Sequence, residues 1–129
     1  MKLRTRSNSI RLRLTKGEVA ELAREGRVVE TIVFGIRRED ALTYALVASE
    51  TVTAVGARLD GSNVVVEIPR ALARRWTGSE QVGISASVDV GDGITLGVLI
   101  EKDFACLAPR VGEDDSDAYP HPGGTDGTC

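Results

Sequence analysis

Between Ser9 and Leu14 apolar and polar side chains alternate strictly, Ile10, Leu12 and Leu14 on one side and Ser9, Arg11 and Arg13 on the other. A period of two marks a strand that buries one face, and it is incompatible with a helix, whose apolar positions recur every three or four residues. The same alternation returns from Val64 to Ile68, from Val82 to Val90 and from Ile94 to Ile100. Val28 to Phe34, Ala41 to Ala48 and Thr51 to Leu59 are rich in Val, Thr and Leu at strand length. Asp60-Gly61-Ser62-Asn63 reads as a tight hairpin turn, and Gly91-Asp92-Gly93 turns between the last two runs. A chain punctuated in this way folds mainly into antiparallel β-structure.

Two stretches escape the period. Thr15-Lys16-Gly17-Glu18 fits a capping box, and Val19, Leu22 and Ala23 give the apolar stripe of a helix that stops at Gly26. Pro69 stands where a second helix takes its first residue, and Arg70 to Trp76 follow before Thr77-Gly78-Ser79 ends it. Both stripes read as core, with Trp76 as a plug for one end of a barrel or sandwich, while Arg74-Arg75 suits a solvated helix end. At the start of the chain the parity reverses, because Lys2, Arg4 and Arg6 occupy even positions; keeping the basic side chains on one face requires a bulge or bend at Ser7-Asn8-Ser9. The order then reads β-α-β-β-β followed by β-α-β-β. Laying residue n on n+54 matches Ile10, Leu12 and Leu14 with Val64, Val66 and Ile68, Val19 and Leu22 with Ala73 and Trp76, and Val28 with Val82, a weak internal repeat. The expected fold is α+β: a mainly antiparallel meander, as a curved sheet or a barrel, with two short helices.

A chain of 129 residues has room for one domain, expected over 1–107. Residues 108–129 are acidic and rich in Pro and Gly; Val111, Ala118 and Tyr119 are too few apolar side chains to offset ordering entropy, so a flexible tail is expected. Aromatic residues make up only 4%, which leaves little for base stacking and argues against nucleic acid as a partner. No apolar leader follows Met1, and no uncharged run approaches the ~20 residues of a membrane span, so a cytoplasmic protein with no membrane partner is expected. Two cysteines, Cys106 and Cys129, make no disulfide framework. Cys106, after Phe104 in an apolar stretch, reads as a small core residue.

Three blocks carry a resemblance. Asn8-Ser9-Ile10-Arg11-Leu12-Arg13-Leu14 with Glu18-Val19, then Glu101-Lys102-Asp103-Phe104-x-Cys106-Leu107, then Asp117-Ala118-Tyr119-Pro120-x-Pro122 together resemble a family of small bacterial proteins of unknown function. The resemblance covers nearly the whole chain and implies no activity, ligand or catalytic residue. In fold alone, a doubled strand-helix-three-strand unit with charged strand faces is similar to the triphosphate tunnel metalloenzymes, whose barrels hold polyphosphate on inward Arg and Lys with Glu on a metal. The Glu-x-Glu-x-Lys of that group is missing here, and the chain is shorter by at least a strand.

The charges are polarised along the chain. Lys2, Arg4, Arg6, Arg11, Arg13 and Lys16 all precede the first acid, Glu18, whereas Glu113, Asp114, Asp115 and Asp117 crowd the other end. Arg4, Arg6, Arg11 and Arg13 on one strand face would offer guanidinium forks to phosphate or carboxylate, and the same charges would also keep an edge strand from pairing. The acidic run, tethered to the domain, is a candidate competitor for that face, and such competition is salt-sensitive. Cys106, His121 and Cys129 match no compact zinc spacing, and Asp115-x-Asp117 lacks the Gly and distal Glu of a calcium loop, so no metal or other cofactor is expected. No nucleophile with a positioned base is legible; Glu30, Glu50, Glu67 and Glu101 are carboxylates that could meet inside a barrel. The expectation is a non-enzymatic binding or regulatory protein that recognises a phosphate-bearing small molecule or an acidic protein segment. The alternatives are a polyphosphate- or triphosphate-processing enzyme of tunnel-like fold, and metal binding through the C-terminal tail.

Overall fold

Ser7 adopts φ 49°, a left-handed conformation that, with Asn8, reverses the chain in two residues. The expected bulge is therefore a hairpin turn, and the basic segment ahead of it is a strand of its own. In the computed structural model, which describes residues 1–104, the elements are β1 (Lys2–Arg6), β2 (Ser9–Leu14), α1 (Lys16–Glu25), β3 (Arg27–Val33), a 3-10 turn (Arg38–Asp40), β4 (Ala41–Ser49), β5 (Gly56–Asp60), β6 (Asn63–Pro69), α2 (Arg70–Thr77), β7 (Gly83–Gly91) and β8 (Ile94–Lys102). The α+β class, the two helices and the turns at Asp60–Asn63 and Gly91–Gly93 agree with the sequence reading. The expected order is present from β2 onward, and the added strand β1 makes the whole a β-β-α-β-β unit repeated twice. The expected end of the domain at Leu107 and the 108–129 tail lie outside the described residues.

The strands form two open four-stranded sheets and no closed barrel. The first sheet has the order β1-β2-β8-β7 and the second β3-β4-β6-β5. In each, two antiparallel hairpins meet at a central parallel pair, β2 with β8 and β4 with β6. Those two parallel pairings are what a meander lacks. They also fix the repeat offset at 54 for these four strands, since Leu12 pairs with Ile100 and Leu46 with Val66, Leu12 standing 54 positions before Val66 and Leu46 54 before Ile100. Across β3 and β7 the offset becomes 56, so Val28 corresponds to Ile84, not Val82: Val28 faces Leu46 as Ile84 faces Ile100. Two extra residues between α2 and β7 account for the shift.

Sequence chemistry explains each helix. Thr15 and Glu18 form the expected capping box, and Gly26 closes α1 at φ 78°, a conformation open to glycine. Pro69 is the last residue of β6 and caps α2, whose first helical residue is Arg70. Leu12, Leu14 and Ile100 from the first sheet, Val28, Leu46, Val66 and Ile68 from the second, and Leu22 and Trp76 from the helices form one buried cluster. Burying each such side chain contributes roughly 1.5–3 kcal/mol. Trp76 is fully buried, and its indole N–H donates to the Val82 carbonyl at 3.2 Å. No helix among the described residues is long and apolar enough to cross a membrane.

Candidate functional site

The hairpin register collects the basic residues. Lys2 lies across from Arg13, Arg4 from Arg11 and Arg6 from Ser9, and residues opposite one another share a face of the sheet. All four arginines singled out in the sequence thus stand on the outer face of the first sheet. On the other side of β2, parallel pairing sets Arg13 beside Glu101 and Arg11 beside Leu99. Like charges directly opposite destabilise a ladder, and Glu101 relieves this one. Arg13 donates to Glu101 Oε1 through Nη2 at 3.1 Å and Nε at 3.3 Å, and Arg11 Nε stands 3.6 Å from the same oxygen. Asp103 adds a second carboxylate, 3.6 Å from Lys2 Nζ and 4.0 Å from Arg13 Nη1.

The four arginines are not equivalent. Arg13 has a side chain only 10% exposed and acts as a fixed anchor, whereas the sequence reading placed it on an open basic face. Arg4 and Arg6 are exposed and Arg11 is half-buried. Among the described residues Arg6 makes no ion pair. Lys2, Leu3, Arg4, Arg11 and Arg13 line a cavity of about 290 Å³. Among the described residues four cations, Lys2, Arg4, Arg11 and Arg13, line this cavity, and Glu101 and Asp103 are the carboxylates beside it. The equivalent outer face of the second sheet is nearly neutral: Arg58 replaces Arg4, Val65 replaces Arg11, Glu67 replaces Arg13 and Val47 replaces Glu101, with Arg58 Nε 2.9 Å from Glu67 Oε1.

A second polar group, inside the fold, was not legible in the sequence. The Met1 side chain is buried, and its partly buried amine ion-pairs with Glu18 and, at 2.8 Å, with Glu30, while the Tyr44 hydroxyl donates to the Met1 carbonyl at 2.8 Å. Burial opposes the charge on the amine, but the hydrogen bonds it donates to the Glu18 and Glu30 carboxylates, with their negative charge, outweigh it and raise its pKa above 8.0. Burial likewise opposes the Glu18 carboxylate, and the amine and Thr15 overcome it, holding its pKa below 4.5. Tyr44 is pushed up by burial and by the two neighbouring carboxylates. Glu18 reads in the sequence only as a capping residue; the available signal is Glu30, which breaks the inward row Val28, Glu30, Ile32 of β3.

The other sequence candidates do not converge. Glu30 serves Met1, Glu50 pairs with Arg70, Glu67 with Arg58 and Glu101 with Arg13, so the four carboxylates meet in no common cavity. Cys106, Glu113, Asp114, Asp115, Asp117, His121 and Cys129 lie outside the described residues. Among the described residues no three His, Cys, Asp or Glu side chains are grouped to hold a metal ion. No curated protein and no solved structure matches the chain. One family model does, over residues 1–123, and by that match the chain belongs to the family of unknown function DUF7009.

Proposed function

We propose that this chain is a non-enzymatic binding module of the bacterial cytoplasm, holding a phosphate-bearing or acidic ligand on the arginine face of the first sheet. The observation that carries the reading is the convergence of Arg4 and Arg11 on one cavity beside the fixed Arg13–Glu101 pair, with Arg6 extending the same face. Fixing one guanidinium by a carboxylate lowers the ordering needed when its neighbours grip a ligand, and planar forks suit the geometry of phosphate and carboxylate oxygens. An open sheet face favours recognition over catalysis, which requires reacting groups held in a water-excluding site. The acidic run Glu113 to Asp117 is the intramolecular competitor in this reading, since its charge matches the cavity and it is tethered to the same chain.

A thermal-shift titration with tripolyphosphate at low and high salt tests it. The wild-type chain should gain stability at low salt and lose most of the gain at high salt. Arg4→Ser combined with Arg11→Ser should abolish the shift, Arg58→Ser at the equivalent position of the second sheet should leave it intact, and a chain ending at Leu107 should respond at lower tripolyphosphate concentration. A wild-type chain that does not shift, or a shift that Arg58→Ser reduces as much as the paired substitution, removes the arginine face from consideration.

A further inference from the structure

Each four-stranded sheet ends in two edge strands, and three of the four carry a device that discourages pairing with another chain. β1 presents Lys2, Arg4 and Arg6, β5 is five residues long and carries Arg58 and Asp60, and β7 has Ser85, Ser87 and Asp89 on one face and a bulge between Asp89 and Gly91. β3 is different. Beyond Arg27 its residues are Val28, Val29, Glu30, Thr31, Ile32 and Val33, leading into Phe34 and Ile36. Val29 and Ile32 are 46% and 43% exposed, Val33 and Phe34 are 72% and 74% exposed, and Ile36 is fully exposed.

The pairing with β4 defines which backbone groups are free. Phe34 N–H donates to the Asp40 carbonyl at 2.7 Å and Ala48 N–H to the Gly26 carbonyl at 2.8 Å, so the even-numbered residues of β3 bond to β4. In an antiparallel ladder alternate residues turn their N–H and C=O to opposite sides. Those of Val29, Thr31 and Val33 therefore point to the outer edge, where no strand pairs among the described residues.

We propose that the β3 edge pairs with the β3 edge of a second copy of this chain, antiparallel about a two-fold axis at Thr31, so that the two second sheets become one of eight strands. A continuous sheet must keep odd residues opposite odd residues, which leaves few registers. Centring on Thr31 sets Val29 against the partner's Val33, Val28 against the partner's Phe34 and Glu30 against the partner's Ile32, with no like charges opposed. Centring on Glu30 instead opposes two carboxylates, and centring on Ile32 leaves Val29 against a glycine. A buried Val, Ile or Phe removes on the order of 100 Å² of apolar surface. Five such side chains on each copy reach the ~1,000 Å² at which specific interfaces begin, so the dimer should be weak, with a dissociation constant on the order of micromolar.

Sedimentation of the full chain from about 1 μM to about 300 μM brackets that affinity. The weight-average mass should rise with concentration from 13.7 kDa toward twice that value. Val33→Lys, at an exposed position where folding does not depend on the side chain, should stay monomeric throughout with an unchanged circular dichroism spectrum. In a chain with Cys106→Ser and Cys129→Ser, Thr31→Cys should form a disulfide-linked dimer under mild oxidation and Glu30→Cys should not, because paired Cα atoms ~5.5 Å apart lie within the span of a disulfide. Mass that stays at the monomer value at every concentration, a dimer that survives Val33→Lys, or cross-linking at Glu30→Cys in preference to Thr31→Cys each overturns the proposal.

Discussion

Two copies of one ββαββ unit build this protein, and equivalent places in them hold opposite chemistry. Met1, Glu18, Glu30 and Tyr44 meet inside the first unit, where the second has Val55, Leu72, Ala86 and Val98. On the outer faces Arg4, Arg11, Arg13 and Glu101 of the first sheet stand where the second has Arg58, Val65, Glu67 and Val47. What both copies share is the aliphatic row: Ile10, Leu12 and Leu14 in one, Val64, Val66 and Ile68 in the other. The backbone therefore needs the row and does not need the charges. The arginine cluster stands on the first sheet alone, its carboxylate Glu101 coming from the second unit, and this difference between the sheets is what the proposed ligand face rests on.

Exchanging residues between equivalent positions is the strongest way to break this comparison. Glu101→Val installs the second-sheet residue in the first and leaves Arg13, only 10% exposed, without the carboxylate that binds it. Removing one partner of a largely buried ion pair costs about 3 kcal/mol. Adding Arg13→Glu reproduces the Arg58–Glu67 arrangement with Arg4 and should restore much of that loss, as read from urea unfolding. If Glu101→Val alone is neutral, the pair is not an anchor and the account of the cavity loses its fixed point.

Much of this comparison was legible in the sequence, and its gaps have physical causes. Alternation found the strands because one face of each is buried, and the capping box and Gly26 bounded α1 through local hydrogen bonding alone. The first turn was missed because Ser7-Asn8 lacks glycine, although Ser7 takes the same left-handed conformation as its equivalent Gly61. The mixed sheets were missed because the central parallel pairings join residues far apart in the chain, such as Leu12 and Ile100, and no local pattern encodes a parallel partner. Charge polarity singled out Arg4, Arg6, Arg11 and Arg13, which the hairpin register places on one face of the first sheet. It could not show that Arg13 is held by Glu101, 88 residues away, nor that Met1 folds inward onto Glu18 and Glu30.

The interior cluster allows a second, smaller test. The raised pKa of the amine means that its stabilisation is complete below pH 8.0 and is lost as pH climbs through the folded value; the lowered pKa of Glu18 means that its share is present above pH 4.5 and is lost as pH falls. Unfolding free energy against pH should therefore show a plateau between these limits. Glu18→Gln should lower the plateau by about 1–3 kcal/mol and flatten both flanks, since it weakens the amine's pairing and removes one carboxylate and its part in the helix cap. A flank that remains steep on the alkaline side in this variant would assign the effect to Glu30. Tyr44→Phe is milder at about 1 kcal/mol, because the Met1 carbonyl loses its donor while the ring stays in place.

The least effect is expected where the second sheet keeps its only equivalent of the arginine face. Arg58 is 57% exposed, and its pairing with Glu67 is open to water and screened by salt, so Arg58→Ser should change unfolding free energy by no more than about 0.5 kcal/mol. Arg4 occupies the equivalent place in the first sheet but stands across from Arg11, and removing it relieves like-charge repulsion as well as any attraction it makes. Arg4→Ser should accordingly be neutral or slightly stabilising at low salt, and the difference between the two substitutions should shrink as salt is added. A loss of stability from Arg4→Ser larger than that from Arg58→Ser would mean that Arg4 is already bound into the fold as Arg13 is. The arginine face would then be largely a structural network, and Arg4 would drop out of the proposed ligand site.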